Sequence, residues 1–275
     1  MTSNGDPNRD LDPANDAKLV HEARKAVKRM RALARLQREE IGEEEFQRVN
    51  SSLRDMGRRL AGARDAEVRL ATLVRLTNRH PKKLALEGVA RLRVALESDR
   101  KQAPPLGTIS QQRVLADVAD MRRELSRWNL LDHDLQTLLP GLRRIYREGR
   151  RRYERARHHH ARPQDLHDWR KRVKALYYVL DMLGGANAKG VSGITKRTER
   201  LGEVLGEEHD LWMLSVYVEE HPQALGRGDR SQEVLLKLIS KQRQRLRERA
   251  FAGGARIYAD PAGKFTRRVG QALSH

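Results

Sequence analysis

Residues 20–36 read VHEARKAVKRMRALARL, and residues 166–182 read LHDWRKRVKALYYVLDM. Each holds a histidine followed by Arg, Lys and Lys at the same spacing: His21, Arg24, Lys25 and Lys28, then His167, Arg170, Lys171 and Lys174. A guanidinium is a planar fork that donates two parallel hydrogen bonds to a phosphate, and an ammonium is a compact point charge. A histidine set among them titrates near neutral pH, discouraged as a cation by its neighbours and favoured by any anion they hold. The chemistry open to such a set is the holding of a polyanion. No nucleophile, base and orienter stand together, and no catalytic carboxylate pair stands out against so much Arg, so a binding protein rather than an enzyme is expected.

Other constellations carry less. His133–Asp134, His167–Asp168 and His209–Asp210 resemble the metal pair of HD-type phosphohydrolases, but that chemistry needs a carboxylate-rich pocket, and His167 stands on a cationic face. His158, His159 and His160 point about 100° apart on a helix and cannot share one ion. Gly184–Gly193 (GGANAKGVSG) lacks the spacing and the preceding strand of a phosphate-binding P-loop. No cysteine is present, which removes disulfides, thiol catalysis and Cys-ligated metal. No metal and no cofactor is expected. Asp65 and Asp210 are read as caps of the helices that follow them, and Trp128, Trp169 and Trp212 as core.

Helices must position these groups. Apolar residues recur at three- and four-residue spacing and runs of alternating β-branched residues are absent, so the fold is expected to be all-α. The spacing predicts helices over about 15–40, 43–62, 65–79, 82–101, 109–128 and 132–158. It continues with about 163–183, 191–206, 210–220, 230–252 and 260–273. Taking His21 as zero, Arg24, Lys25, Lys28, Arg31, Arg35 and Arg38 fall between about −100° and +40° on the helix. Val20, Ala23, Val27, Met30 and Ala34 lie opposite. In the second segment His167, Arg170, Lys171, Lys174, Tyr177 and Tyr178 share one face, while Trp169, Val173, Leu176, Leu180 and Leu183 share the other. An ordinary solvated face mixes Glu with Lys to gain pairs four residues apart; stacking cations twice in one pattern destabilises the helix unless an anion offsets it.

The two segments align at an offset of 146, and LAGARD (60–65) aligns with LGEEHD (205–210) at 145, pairing Leu60 with Leu205 and Asp65 with Asp210. An internal duplication is implied: two related antiparallel helical bundles with pseudo-twofold symmetry. Residues 1–14, with two prolines and several Asn and Asp, read as a flexible leader. Residues 15–275 read as one domain of two halves, 15–160 and 161–275. The 275 residues carry 56 Lys and Arg against 37 Asp and Glu, a formal charge of +19. Such a charge repels itself and favours acidic partners.

The twice-repeated H-x-x-R-K-x-x-K resembles the CHAD domain, a histidine-containing helical domain associated with inorganic polyphosphate. The likeness runs from about Asp16 to Arg268. It takes in Arg64–Asp65, IYREGRRR (145–152), LGEEHDLWML (205–214) and KQRQRLRERA (241–250). The resemblance implies two bundles whose basic helix faces line a shared groove or pore for polyphosphate. The ligands it implies are His21, Arg24, Lys25, Lys28, Arg31 and Arg35 in the first copy, and His167, Arg170, Lys171, Lys174 and Tyr178 in the second. Arg147 and Arg150 would support them. Tyr177 stands where the family tends to carry another Arg, and Ala175 where a basic residue is common. The family also occurs joined to a triphosphate-processing domain; this chain reads as stand-alone.

No stretch reaches the roughly 18 apolar residues of a spanning helix, and no secretory signal opens the chain. A cytoplasmic protein is expected, held to polyphosphate granules where these occur, with no membrane partner. The rival reading is a general RNA- or DNA-binding protein, since any surface so basic holds nucleic acid at low salt. Aromatics at 4% leave few stacking platforms for single strands.

Overall fold

The three- and four-residue apolar spacing is answered by helix almost everywhere. The computed structural model describes residues 13–60, 64–102, 108–128, 135–158, 162–184, 190–226 and 230–274; among them are eleven α-helices and no strand. In order these are α1 (Pro13–Leu36), α2 (Arg38–Ile41), α3 (Glu43–Arg59), α4 (Arg64–Arg79), α5 (Glu87–Gln102) and α6 (Thr108–Ser126). The series continues with α7 (Leu135–Arg157), α8 (Pro163–Gly184), α9 (Ser192–Glu220), α10 (Ser231–Ile257) and α11 (Ala262–Leu273). A short 3-10 turn, Pro222–Ala224, joins α9 to α10. No helix among the described residues is long and apolar enough to cross a membrane.

Several expectations are corrected. Of the leader expected at 1–14, residues 1–12 lie outside the described residues, while Pro13 and Ala14 already belong to α1; proline's fixed φ suits a first helical position. The helix expected over 15–40 is interrupted at Gln37, and its continuation ends at Gly42, whose φ of 81° lies in the left-handed region open to glycine. The helix expected from 82 starts only at Glu87, because the N–H groups of Lys83 and Leu84 turn back to the His80 carbonyl, each at 3.1 Å. The two helices expected at 191–206 and 210–220 are one, α9. An interior glycine costs a helix only about 1 kcal/mol, and here Gly206 is outweighed by burial of Leu205, Leu211 and Leu214 around it. Asp210 therefore caps nothing. It lies inside α9, 3.6 Å from Arg75 of α4, and Asp65 is likewise inside its helix, as the second residue of α4, where its charge suits the N-terminal end of the dipole without capping it.

Three apolar cores form among the described residues. The first gathers α7, α8 and α11 with the end of α1, the first half of α9 and the end of α10, around Trp169, Tyr146 and Phe265. The second joins α4 and α5 to the later part of α9 and the earlier part of α10. The third packs α1 on α3 and α6 through Ala23, Val27, Met30 and Ala34, the apolar side read from the sequence. Trp128 packs partly buried against that core. Helices from both sides of residue 160 thus share cores one and two.

The two matched segments lie on α1 and α8, which pack against each other and are tied by Arg29 and Asp181 at 3.0 Å. The second matched pair falls at the junction of α3 and α4 in one copy and inside the unbroken α9 in the other.

Candidate anion-binding site

On α8 the apolar side is sealed: Trp169, Val173, Leu176 and Leu180 are fully buried. This fixes the rotation of the helix and aims His167 and Arg170 at α9. The His167 and His209 rings face each other with centroids 4.6 Å apart, and Trp212 stands 5.5 Å from His209. A cavity of about 370 Å³ opens here between α4, α8 and α9, lined by Asp65, Gln164, His167, Arg170, His209, Asp210 and Trp212 among others. Burial, then Arg170, His167, Lys171 and Lys174, push His209 down to about 3. His167 is also lowered, by burial, Lys171 and Arg170, against an opposing pull from Asp168. The Nδ1 of His167 is shut away from water and meets no hydrogen-bond partner among the described residues. Lys171 is exposed and donates to Asp168 at 3.4 Å. The stem of Lys174 lies beside Gly202 of α9.

On α1 the cationic side meets α3. Arg24 donates to the carbonyl of Leu60 at 2.9 Å, a cation placed at a helix C-terminus where the peptide dipoles favour it. Arg31 and Arg35 both reach the Asn50 side-chain oxygen, at 3.4 and 3.5 Å, and Arg35 also donates to the Arg31 carbonyl. Burial, then Arg54 and Arg172, lower Arg31. Burial, then Arg31 and Arg172, bring Arg35 down to about 9, although Glu148 resists. Such a value in a guanidinium marks crowding of positive charge in a poorly solvated place. Lys25 and Lys28 stand half-buried on the same helix, and His21 is exposed at its first described turns.

The remaining expected residues lie apart from these two clusters. Arg150 donates to Glu154 and to the Asp260 carbonyl before α11, and Arg147 is exposed on α7. Tyr178 packs partly buried against the first core, and Arg29 acts on it. Its neighbour Tyr177 gives its hydroxyl proton to Glu199 at 3.0 Å. With the sequence offsets, Tyr177, Asp181 and Glu199 occupy the places of Arg31, Arg35 and Arg54. The cationic surface of α8 is therefore confined to its first half.

Sequence reasoning missed Arg54, Arg172 and His209 as members of these clusters. Arg172 lies about 140° from His167 on the helix, off the face drawn from sequence; it turns to Arg31 and Arg35 because α1 packs on that side. His209 was visible in LGEEHD, but its partner across α8 was not. The dipeptide His133–Asp134 and residues His159 and His160 lie outside the described residues. Among the described residues no group of three or more potential ligands could hold a metal ion.

An all-α fold carrying clustered cations on two helices that share a sequence pattern defines a class: helical domains in which a histidine- and arginine-bearing pattern occurs twice. The family model for the CHAD domain matches residues 8–219, and the chain belongs to that family. The match ends within α9, so α10 and α11, which complete two of the cores, lie beyond it. No curated protein and no solved structure matches the chain.

Proposed function

We propose that this chain binds inorganic polyphosphate without converting it, along the cationic faces of α1 and α8. In this reading the two copies form related bundles about a pseudo-twofold axis and their faces line one basic groove. The binding residues are His21, Arg24, Lys25, Lys28, Arg31 and Arg35, with His167, Arg170, Lys171, Lys174 and Tyr178 and supporting contacts from Arg147 and Arg150. Polyphosphate carries about one charge per phosphate and accepts hydrogen bonds on every side, which suits mixed forks and point charges. Attachment to polyphosphate granules follows from the same contacts.

The observation that carries this reading is the crowding of cations where α1 meets α3 and α8: burial, Arg54 and Arg172 lower Arg31, and burial, Arg31 and Arg172 lower Arg35. A stable fold gains nothing from that arrangement, and a bound chain of phosphates offsets it. The family membership agrees with it. The test is a competition of long-chain polyphosphate against single-stranded RNA and duplex DNA of matched charge at about 200 mM salt, where non-specific contacts to nucleic acid have weakened by about 10³–10⁵ relative to 50 mM. Polyphosphate stays bound while both nucleic acids are displaced, and Arg24→Ala and Arg170→Ala each cost more than about tenfold. All three polymers weakening together would identify a general polyanion binder, and nucleic acid as an equal partner.

A further inference from the structure

The cavity between α4, α8 and α9 holds an arrangement that a simple basic surface does not need: two imidazoles in tilted contact, one with a buried Nδ1 that meets no partner among the described residues, beside two carboxylates. We propose that this cavity is a proton-coupled site for one phosphoryl group, taken up together with a proton on the His167–His209 pair. The identity of the anion rests on the polyphosphate reading; the coupling rests on the cavity itself.

The charges around the pair favour the coupling. From α4 come Asp65 in the wall and Arg75, which answers Asp210 of α9; Arg69 of α4 is turned onto the ring of Tyr217. From α8 come Arg170 in the wall, Lys171 held by Asp168, and Lys174; Asp168 also meets Arg152 of α7 at 3.6 Å. On α9 itself, Glu208 is turned away to Arg243 and Arg247 of α10. Arg170 and Arg75 therefore balance Asp65 and Asp210, which leaves Lys171 and Lys174 against Asp168 and a small positive excess while both imidazoles are neutral. One proton on the pair adds to that excess where an anion would meet the rings. It supplies a charge-assisted donor, and the face of Trp212 stabilises the imidazolium so formed.

The sign of the pH dependence follows. Both histidines sit below the ordinary value, so the pair is neutral at pH 7. A phosphoryl anion opposes the Coulombic part and raises both, so a proton enters with the anion and binding strengthens as pH falls. The pair titrates as a unit, and the proton belongs to both rings. The sequence confines this behaviour to one copy. Leu60–Asp65 matches Leu205–Asp210, so the counterpart of His209 is Arg64, which does not titrate in this range.

The test is calorimetry on the full chain with inorganic phosphate, and separately with long-chain polyphosphate, at pH 6.5 and 7.5 in two buffers of unlike ionisation enthalpy. His209→Gln and His167→Gln are run beside the parent after their thermal melts confirm folding. Phosphate's own ionisation cancels in the comparison. The parent takes up about one proton more than His209→Gln, read as an affinity slope steeper by up to about tenfold per pH unit. Equal uptake in parent and variants overturns the proposal, and so does failure of inorganic phosphate to bind; either leaves the polyphosphate reading standing if the polymer still binds selectively. Coupled uptake of phosphate by a chain that holds polyphosphate no better than RNA supports the site and removes polyphosphate as its natural ligand. Should the variants not fold, the parent's His209 resonance decides: a titration midpoint that rises on adding inorganic phosphate supports the coupling, and one that stays fixed overturns it.

Discussion

Glu148 of α7 sits where three arginines converge. It pairs with Arg172 of α8 at 3.0 Å and with Arg144 at 3.8 Å, and it alone among the groups acting on Arg35 resists the lowering of that guanidinium. Glu148→Gln removes this counter-charge and leaves Arg31, Arg35 and Arg172 facing each other. Losing a partner from a charged, partly buried group costs about 1–3 kcal/mol, so the variant unfolds at lower urea concentration than the parent. Added polyphosphate, by replacing the lost negative charge, narrows the gap; a gap unchanged by polyphosphate would place the polymer away from this cluster. At this scale the sequence was informative about residue types and less so about partners. The pattern His–Arg–Lys–Lys exposed Arg24 and Arg170 directly. It gave no sign of Arg54 or Arg172, since these come from a neighbouring helix or from the margin of the apolar side, and only packing brings them in.

At the scale of the helix, α7 lies against the end of α1 so closely that only glycine fits between them. A Cβ built on Gly141 would come 1.8 Å from the Leu36 carbonyl oxygen, and one turn further on Arg144 bonds the Arg35 carbonyl and pairs with Glu39 at 2.6 Å. Backbone cannot retreat as a flexible side chain can, so Gly141→Ala costs about 3 kcal/mol or more in urea denaturation. Gly206 is the opposite case. Its added Cβ meets nothing within 4 Å, and Gly206→Ala in the middle of α9 stabilises by about 0.5–1 kcal/mol. A reversal of the two effects would mean that the α1–α7 contact is not formed. The same pair shows what periodicity conveys and what it omits. The apolar spacing located every long helix, yet it placed a break at residues 206–210, because local propensity cannot weigh a glycine against Leu205, Leu211 and Leu214 buried on either side. The close approach at Gly141 has no local signal, since it is a property of two helices distant in sequence.

For the whole molecule the question is which parts fold together. The sequence match alone reads as two halves, 15–160 and 161–275, with one of the matched helices in each. The cores are distributed otherwise. Leu70, Leu73, Leu76, Leu92 and Leu96 of α4 and α5 bury themselves against Leu211, Leu214, Val218, Leu235 and Ile239 of α9 and α10, and Ala32 and Leu36 of α1 belong to the core of α7, α8 and α11. At about 1.5–3 kcal/mol for each large apolar side chain removed from water, baring these faces of α9 and α10 costs about as much as the 5–15 kcal/mol that holds a typical domain together. Residues 161–275 produced alone are accordingly expected to lack a cooperative melt and to aggregate through the bared faces of α9 and α10. Co-expression with residues 1–160 restores a soluble complex that melts as one unit, as measured by co-purification and calorimetry. A sharp melt from 161–275 by itself would show that the halves are independent bundles after all. The outcome bears on function as well as folding: if α4 is needed to complete the fold around α9, then Asp65 and Arg75 are fixed features of the His167–His209 cavity, and its charge balance is a property of the entire chain rather than of either copy.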